Sequence, residues 1–308
     1  MTVISQSVRR IAVVYNPSSG RMSKAISPSD IKRLLPSGVA LEWMASPPAG
    51  TAHMDWGGSL AEEFDLVLAA GGDGTVMACA GLLLGKNIPL GILPCGTGNS
   101  LAASLGIPLA LPHALDVALY GDRQPLDLGW ANGKCFSLIA GLGVDAAILA
   151  RTNAQLKARI GRAAYLSGSR ALLSLQRDTF EIQVDDGTPV LLQGYGVMVG
   201  NLSRFRAVQR KWPGATFHDG RFEVAVMTSH PALGSVWPAD GRFVEWLTGR
   251  HVSIRSCRSH LLERDGDVDG SDDFLNVNVI PQGLTVCAPR MASAKEWRTV
   301  CGLFSAPR

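Results

Sequence analysis

The sequence predicts an α/β domain built on a parallel sheet, followed by a second, antiparallel β domain. Three observations carry this reading. Short apolar, β-branched runs alternate with helical patterns through the first 124 residues. Glycine-rich turns directly follow three of those runs, where the carboxyl ends of parallel strands gather ligands. From Pro125 onward the texture changes to short strands joined by turns.

The elements follow in order. IAVVY, Ile11 to Tyr15, is a first strand and closes in the turn signal NPSSG, Asn16 to Gly20. Ser29 to Leu35 is helical, with Asp30 near its N-terminus, and Val39 to Met44 is a second strand. Ala61 to Glu63 ends a helix, and FDLVLAA, Phe64 to Ala70, is a third strand running into GGDGT. A helix is expected over Val76 to Leu84. Ile88 to Leu93 is a fourth strand, stopped by PCGTGN, and helices follow at Ser100 to Leu105 and Leu109 to Leu119. The boundary is set near Gln124, with no long flexible linker. Beyond it, strands are expected at Phe180 to Val184, Tyr195 to Val199, Phe222 to Met227, Val252 to Ile254, Phe274 to Ile280 and Leu284 to Cys287. Ala154 to Leu175 is the one strongly helical stretch of this half. No internal repeat or low-complexity segment interrupts the chain.

Composition narrows the function. With 46% hydrophobic residues in 308, the chain has ample material for a core, yet no apolar run has transmembrane length. MTVISQSVRR lacks a signal-peptide pattern, so a soluble, cytoplasmic protein is expected. The six cysteines have neither CxxC nor zinc-type spacing and are read as reduced thiols. A net charge of +3 is too weak to argue for nucleic acid, and is compatible with brief contact with anionic membranes.

The glycine turns carry the chemistry. In Gly71-Gly72-Asp73-Gly74-Thr75 the glycines permit positive φ and leave no Cβ to block a ligand. Successive amides in such a turn form an anion nest, and the following helix adds its positive end. Thr75 offers a hydroxyl. Asp73 would repel an anion, so it makes sense holding a cation or a network of waters and basic groups. The alternative is a plain strand-to-helix turn capped by Asp73. Gly96 and Gly98 follow the same logic, with polar contacts from Thr97 and Asn99; Asn16 and Ser19 do so on the first turn. Three such turns on consecutive strand ends can surround one polyphosphate nucleotide. Neither GxxxxGK[ST] nor a first-strand GxGxxG is present, which argues against a P-loop ATPase and a dinucleotide fold.

These blocks resemble the diacylglycerol kinase catalytic-domain family of lipid kinases, which includes the bacterial diacylglycerol kinases and the sphingosine and ceramide kinases. NPSSG is similar to its first nucleotide turn, with Pro17 and Gly20 beside Asn16 and Ser19; GGDGT is its central motif. LPCGTGNSLAASLGIP, Leu93 to Pro108, resembles its third block. GLGVDA at Gly141 to Ala146, GRAAYL at Gly161 to Leu166 and PGATFHDGRFEVAVM at Pro213 to Met227 have counterparts in the same order. GGDGT alone is shared with NAD kinases and, loosely, with phosphofructokinases.

The resemblance implies ATP- and Mg²⁺-dependent phosphorylation of a lipid hydroxyl. It implies an α/β nucleotide domain over residues 1–124 and a β-sandwich-like lipid domain over 125–288, with a cleft between them. The tail, 289–308, is expected to pack back on the first domain. Asp73 is counted with the catalytic residues. The family's late DGE motif is absent; ERDGDVDGSDD, Glu263 to Asp273, stands in that region. Counting back from Ile280-Pro281 selects Asp265-Gly266-Asp267, so Asp265 or Asp267 is the expected base, against an ordinary solvated hairpin loop. Asp219 matches a metal-binding aspartate of relatives, with the carbonyls of Thr216 and Arg221 as further ligands; an Asp-Gly turn is the alternative. Ser46 stands where relatives carry a Thr near the nucleotide, with a plain turn residue before Pro47-Pro48 as the alternative, while Arg21 and Lys24 are read as an exposed helix face rather than phosphate ligands. Phe136 to Leu149 and Ala154 to Leu175 are candidate lipid walls or ordinary core, and Trp212, Trp237 and Trp246 are candidate interface residues or ordinary buried packing. The expected partners are a hydroxyl-bearing lipid and, transiently, a membrane surface, making the protein peripheral to the membrane; a homodimer is left open. The rivals are an NAD-kinase-like small-molecule kinase and a non-catalytic nucleotide- or lipid-binding protein.

Overall fold

A computed structural model of the chain describes residues 8–16, 28–46, 64–143, 176–201, 216–228 and 244–290. The chain divides into two units: Met1–Leu126 with Gly283–Arg308, and Asp127–Gln282.

In the first unit, β1 (Arg10–Tyr15), β2 (Ala40–Ala45), β3 (Leu66–Gly71) and β4 (Leu90–Pro94) form a parallel sheet in the order β4-β3-β1-β2. Every residue of β3 and β4 is buried, which is why both read as unbroken apolar runs rather than alternating ones. Four helices are described: α1 (Pro28–Leu34), α2 (Asp73–Leu83), α3 (Ser100–Ser104) and α4 (Leu111–Tyr120). Helix α2 lies against β3 and β4, and α4 against β4. Gly91 permits the second approach, since a Cβ there would sit 2.6 Å from that of Ala118. Helix α2 begins three residues before the Val76 expected from composition. Gly72 is its N-cap, so Asp73, Gly74 and Thr75 are its first turn; two poor helix formers there hid the start.

The second unit is antiparallel. Its strands are β5 (Asp122–Ala131, entering from the first unit), β6 (Lys134–Phe136), β7 (Ile139–Leu142), β8 (Asp178–Val184), β9 (Val190–Gly194), β10 (Val197–Gly200), β11 (Phe222–Met227), β12 (Val244–Gly249), β13 (His251–Arg264) and β14 (Asp267–Ala288). They run in the order β12-β11-β10-β7-β13-β14, with β8 and β9 branching from β13. Strand β13 pairs with β8 through Val252–Ser256, passes an irregularity between Arg255 and His260, and pairs with β7 at Leu262–Arg264. One strand thus serves two layers, and β8 and β9 pack against β12 and β11 to make a sandwich. Phe136, Phe180 and Phe222, all fully buried, centre its core with Val197, Val224, Ile254 and Leu275.

Phe274 to Ile280 and Leu284 to Cys287 are not separate strands but parts of one 22-residue strand, β14. Pro281 suggested a break; instead Gln282 takes φ 50 and gives its amide to Asp127, and the strand continues into the first unit, where Val286 pairs in parallel with Leu90. Strands β5, β6, β7, β9 and β12 carried no expectation, being short, glycine-containing or polar at one end. The expected helix at 154–175, the residues 291–308 of the tail, and Trp212 and Trp237 lie outside the described residues.

Candidate active site

The turns of the first unit follow neighbouring strands. Asn16 follows β1, Ser46 follows β2, Gly72–Thr75 follow β3 and Cys95–Asn99 follow β4. The Ser46 amide donates to the Tyr15 carbonyl at 2.7 Å, carrying the β1–β2 pairing one residue beyond the strand. Pro17, Ser19 and Gly20, with Arg21 and Lys24, lie outside the described residues.

The two later turns touch backbone to backbone. A Cβ on Gly96 would lie 2.2 Å from Gly72 Cα, so Gly96 admits no side chain without separating the turns, and a Cβ on Gly72 would press on Gly96 Cα at 3.1 Å. The amides of Cys95 and Gly96 donate to the Gly71 carbonyl at 3.0 and 3.2 Å. Asp73 Oδ1 accepts the Leu101 amide at 3.2 Å, which ties the first turn to the start of α3, and the bare Cα of Gly98 leaves room for Asp73 Oδ2. Asn99, at φ 53, closes its own loop: its Oδ1 accepts the Gly96 amide and its Nδ2 donates to the Gly96 carbonyl, both at 2.9 Å. Thr75 is buried beneath the turn, with Oγ1 against Gly71 and no hydrogen-bond partner. Gly74, Thr97 and Gly98 are the exposed members. Bare glycines let the two turns close on each other beside the N-terminus of an 11-residue helix, an arrangement that fits the phosphates of a nucleotide.

In the second unit, Asp219 gathers both expected companions, but through amides. Its Oδ2 accepts the Thr216 N–H and its Oδ1 the Arg221 N–H, each at 3.0 Å. Each oxygen keeps a further lone pair, and the two carbonyls are oxygen donors of the kind a hard cation takes. Among the described residues no group of three His, Cys, Asp or Glu side chains has metal-binding geometry. The next amide of this turn, Gly220, donates at 2.6 Å to Asp127, a fully buried carboxylate that also accepts the Gln282 amide at 2.7 Å. Burial pushes the Asp127 carboxyl up, opposed by these two amides and reinforced by the charge of Asp219.

The late acidic segment is a hairpin. Arg264 pairs with Asp267, and Asp265-Gly266, at φ 46 and 97, form the two-residue turn. Its two acids point to different environments. One oxygen of Asp265 accepts the Ser137 amide (2.7 Å) and hydroxyl (2.9 Å); the other accepts the amides of Leu138 (2.8 Å) and Ile139 (3.1 Å). Four donors occupy its four lone-pair sites. Burial nevertheless pushes this carboxyl above the ordinary range, against those bonds. Asp267 is exposed, and its carboxylate has no partner among the described residues. Asp269, of the second Asp-Gly pair, is committed to Lys134 at 2.6 Å and to Arg264.

Comparison with known proteins places this arrangement. Residues 10–131 match the diacylglycerol kinase catalytic domain, and residues 139–288 the YegS C-terminal NAD kinase beta sandwich-like domain. A diacylglycerol kinase of Bacillus subtilis (strain 168) is 32% identical over 71% of this chain and 74% of its own. The chain belongs to the diacylglycerol kinase catalytic-domain family. A Citrobacter koseri protein named "Probable lipid kinase YegS-like" is 34% identical over 73% of this chain and 78% of its own. The chain spans 54% of the length of an uncharacterized Synechocystis protein to which it is 26% identical. In fold, it is similar to the crystal structure of a diacylglycerol kinase from Bacillus anthracis str. Sterne, with a TM-score of 0.64, 19% identity, and coverage of 91% of this chain and 97% of that one.

As a member of the diacylglycerol kinase family, the chain brings its expected residues together in groups within each unit. Gly71–Thr75 meets Gly96–Asn99; Thr216, Asp219 and Arg221 share one turn; Asp265 and Asp267 share another. Phe136 to Leu142 is core rather than a displayed wall, and Trp246 is half-buried in β12. Sequence reasoning missed Asp127, Ser137 and Asn201, three buried polar residues in apolar surroundings. The local pattern points the other way, since alternation in Leu126-Asp127-Leu128 puts Asp127 on the face opposite the leucines, where a one-sided sheet meets solvent. Among the described residues no helix is long and apolar enough to cross a membrane.

Proposed function

We propose that the chain is an ATP-dependent lipid kinase that phosphorylates the hydroxyl of a diacylglycerol-like or sphingoid lipid. The backbone contact between Gly72 and Gly96 carries this reading, because it joins two amide-rich turns into one anion cradle at neighbouring strand ends. ATP supplies the phosphoryl group, and Mg²⁺ spreads the charge of its phosphates. The turn amides and the N-terminus of α2 bind and orient those phosphates, while Asp73 keeps the two turns in register. Asp219, with the carbonyls of Thr216 and Arg221, is the proposed cation ligand set.

The lipid hydroxyl must lose a proton. Asp267 is the proposed acceptor because its carboxylate has no partner among the described residues, whereas the lone pairs of Asp265 are filled by Ser137, Leu138 and Ile139. Asp265 then acts as the anchor of the turn. Such an enzyme would be cytoplasmic and meet a membrane surface briefly to collect its substrate.

The test is transfer from γ-labelled ATP with Mg²⁺ to mixed-micelle diacylglycerol, monoacylglycerol, sphingosine and ceramide, with NAD in parallel. A labelled lipid that disappears in the Asp73→Ala and Asp267→Ala proteins supports the proposal. Labelled NAD without labelled lipid would overturn the substrate class. Tight ATP binding with no labelled lipid or NAD would leave a binding protein.

A further inference from the structure

We propose that Asn201 is a positioning residue that sets the Asp265–Asp267 turn through Ser137. The inference rests on the assignment of Asp267 as proton acceptor. Asn201 is 2% exposed and lies just after β10, far from Asp265 in sequence. Its Nδ2 donates to two carbonyls at once, Ser137 at 3.1 Å and Asp127 at 3.3 Å. Its own amide donates to the Leu138 carbonyl at 2.8 Å. Gly200 makes this approach fit: it takes φ 152, and a Cβ there would lie 2.0 Å from the Leu138 carbonyl oxygen.

The segment joining β6 to β7 is therefore held on two sides. The carbonyls of Ser137 and Leu138 face Asn201, while the amides of Ser137, Leu138 and Ile139 face the carboxylate of Asp265. Peptide groups bonded at both ends polarise one another, so the donors offered to Asp265 are strengthened and fixed from behind. The Asp265 amide returns a bond to the Ile139 carbonyl at 2.9 Å, locking the turn to the same segment. Only a primary amide supplies two N–H donors from one short side chain; serine supplies one, and aspartate would turn two oxygens on two carbonyls. The second carbonyl, of Asp127, belongs to the residue whose side chain holds the Asp219 turn through Gly220. A single buried amide thus fixes the backbone beneath both turns of this unit.

The full chain carrying Asn201→Ser tests this in two ways. By hydrogen exchange, protection of the Leu138, Ile139 and Asp265 amides should fall while the β11–β12 ladder keeps its own. In lipid phosphorylation, kcat should fall about tenfold with KM for ATP and lipid unchanged, as expected of a misplaced rather than missing group. In an Asp267→Asn background the same substitution should cause no further loss. Unchanged exchange at those three amides, loss of protection throughout the unit, or rate losses that multiply independently would each overturn the proposal. If Asn201→Ser does not fold, Asn201→Gln, which keeps two N–H donors but carries them one methylene away, must loosen the same three amides or the proposal fails. If the wild-type chain labels no lipid, the kinase reading has failed, and the exchange result alone decides whether Asn201 holds the turn.

Discussion

At Gly96 the limit on substitution is another backbone. An added Cβ would lie 2.2 Å from Gly72 Cα and 2.8 Å from Gly72 N, and no side chain there can swing aside. Gly96→Ala should therefore part the turns, weakening ATP binding at least about tenfold and costing roughly 1–3 kcal/mol, as overpacking does; ATP titration and a thermal melt measure both. The two acids of the hairpin should separate by the same pair of readouts. Asp265→Asn turns an NH₂ toward backbone donors and should cost about 1–3 kcal/mol of stability. Asp267→Asn should leave the melt unchanged and lower kcat roughly 10²- to 10⁴-fold, the range for losing a general base. Asp265 and Asp267 look equivalent in the sequence because an Asp-Gly turn is all that local chemistry specifies. Which of them faces inward depends on Ser137, 128 positions away along the chain.

At the level of elements, close packing and ion pairs set the tolerances. Gly91→Val would drive a side chain into Ala118 and Leu68, which lie 2.6 and 2.7 Å from the Cβ position, and should lift α4 off β4 with a clear fall in melting temperature. Strands β8 and β13 are joined by Asp178, whose carboxylate meets His260 Nε2 at 2.8 Å and Arg258 Nε at 3.4 Å. Burial pushes this carboxyl up, but the bonds from His260 and Thr179 and the charge of Arg258 hold it below its ordinary value. A lowered carboxyl contributes stability that is complete above the ordinary Asp pKa, near 4, and lost as pH falls through the folded value. The difference in melting temperature between wild type and Asp178→Asn should thus be full at neutral pH and shrink in acid. The buried strands β3 and β4 were legible because unbroken apolar runs between glycine turns leave few alternatives. The β13–β14 pairing was not: its polar, Asp-rich stretch reads as loop until the ladder partners Glu263↔Val268 and Leu261↔Ser271 are known.

For the whole molecule, the chain leaves its first unit at Leu126 and returns at Gly283, so that unit is completed by residues from the far end of the sequence. Val286, fully buried opposite Leu90, supplies its last strand. Val286→Pro removes a ladder amide and should abolish the ATP-dependent rise in melting temperature, which in the wild type corresponds to about 2.7 kcal/mol at a ligand concentration a hundred times Kd. By itself the sequence determined the parallel α/β start, the order of the glycine turns, the family they resemble and the change to β structure beyond Pro125. These are local properties, written in runs of neighbouring residues. Only the tertiary structure decided that Gly72 meets Gly96, that Thr75 and Asp265 face inward while Asp267 stays exposed, that Asn201 donates to the Asp127 and Ser137 carbonyls, and that Asp127 accepts the Gly220 amide. Those outcomes depend on which buried donors and acceptors find each other, and partners separated by tens to more than a hundred residues leave no local pattern to read.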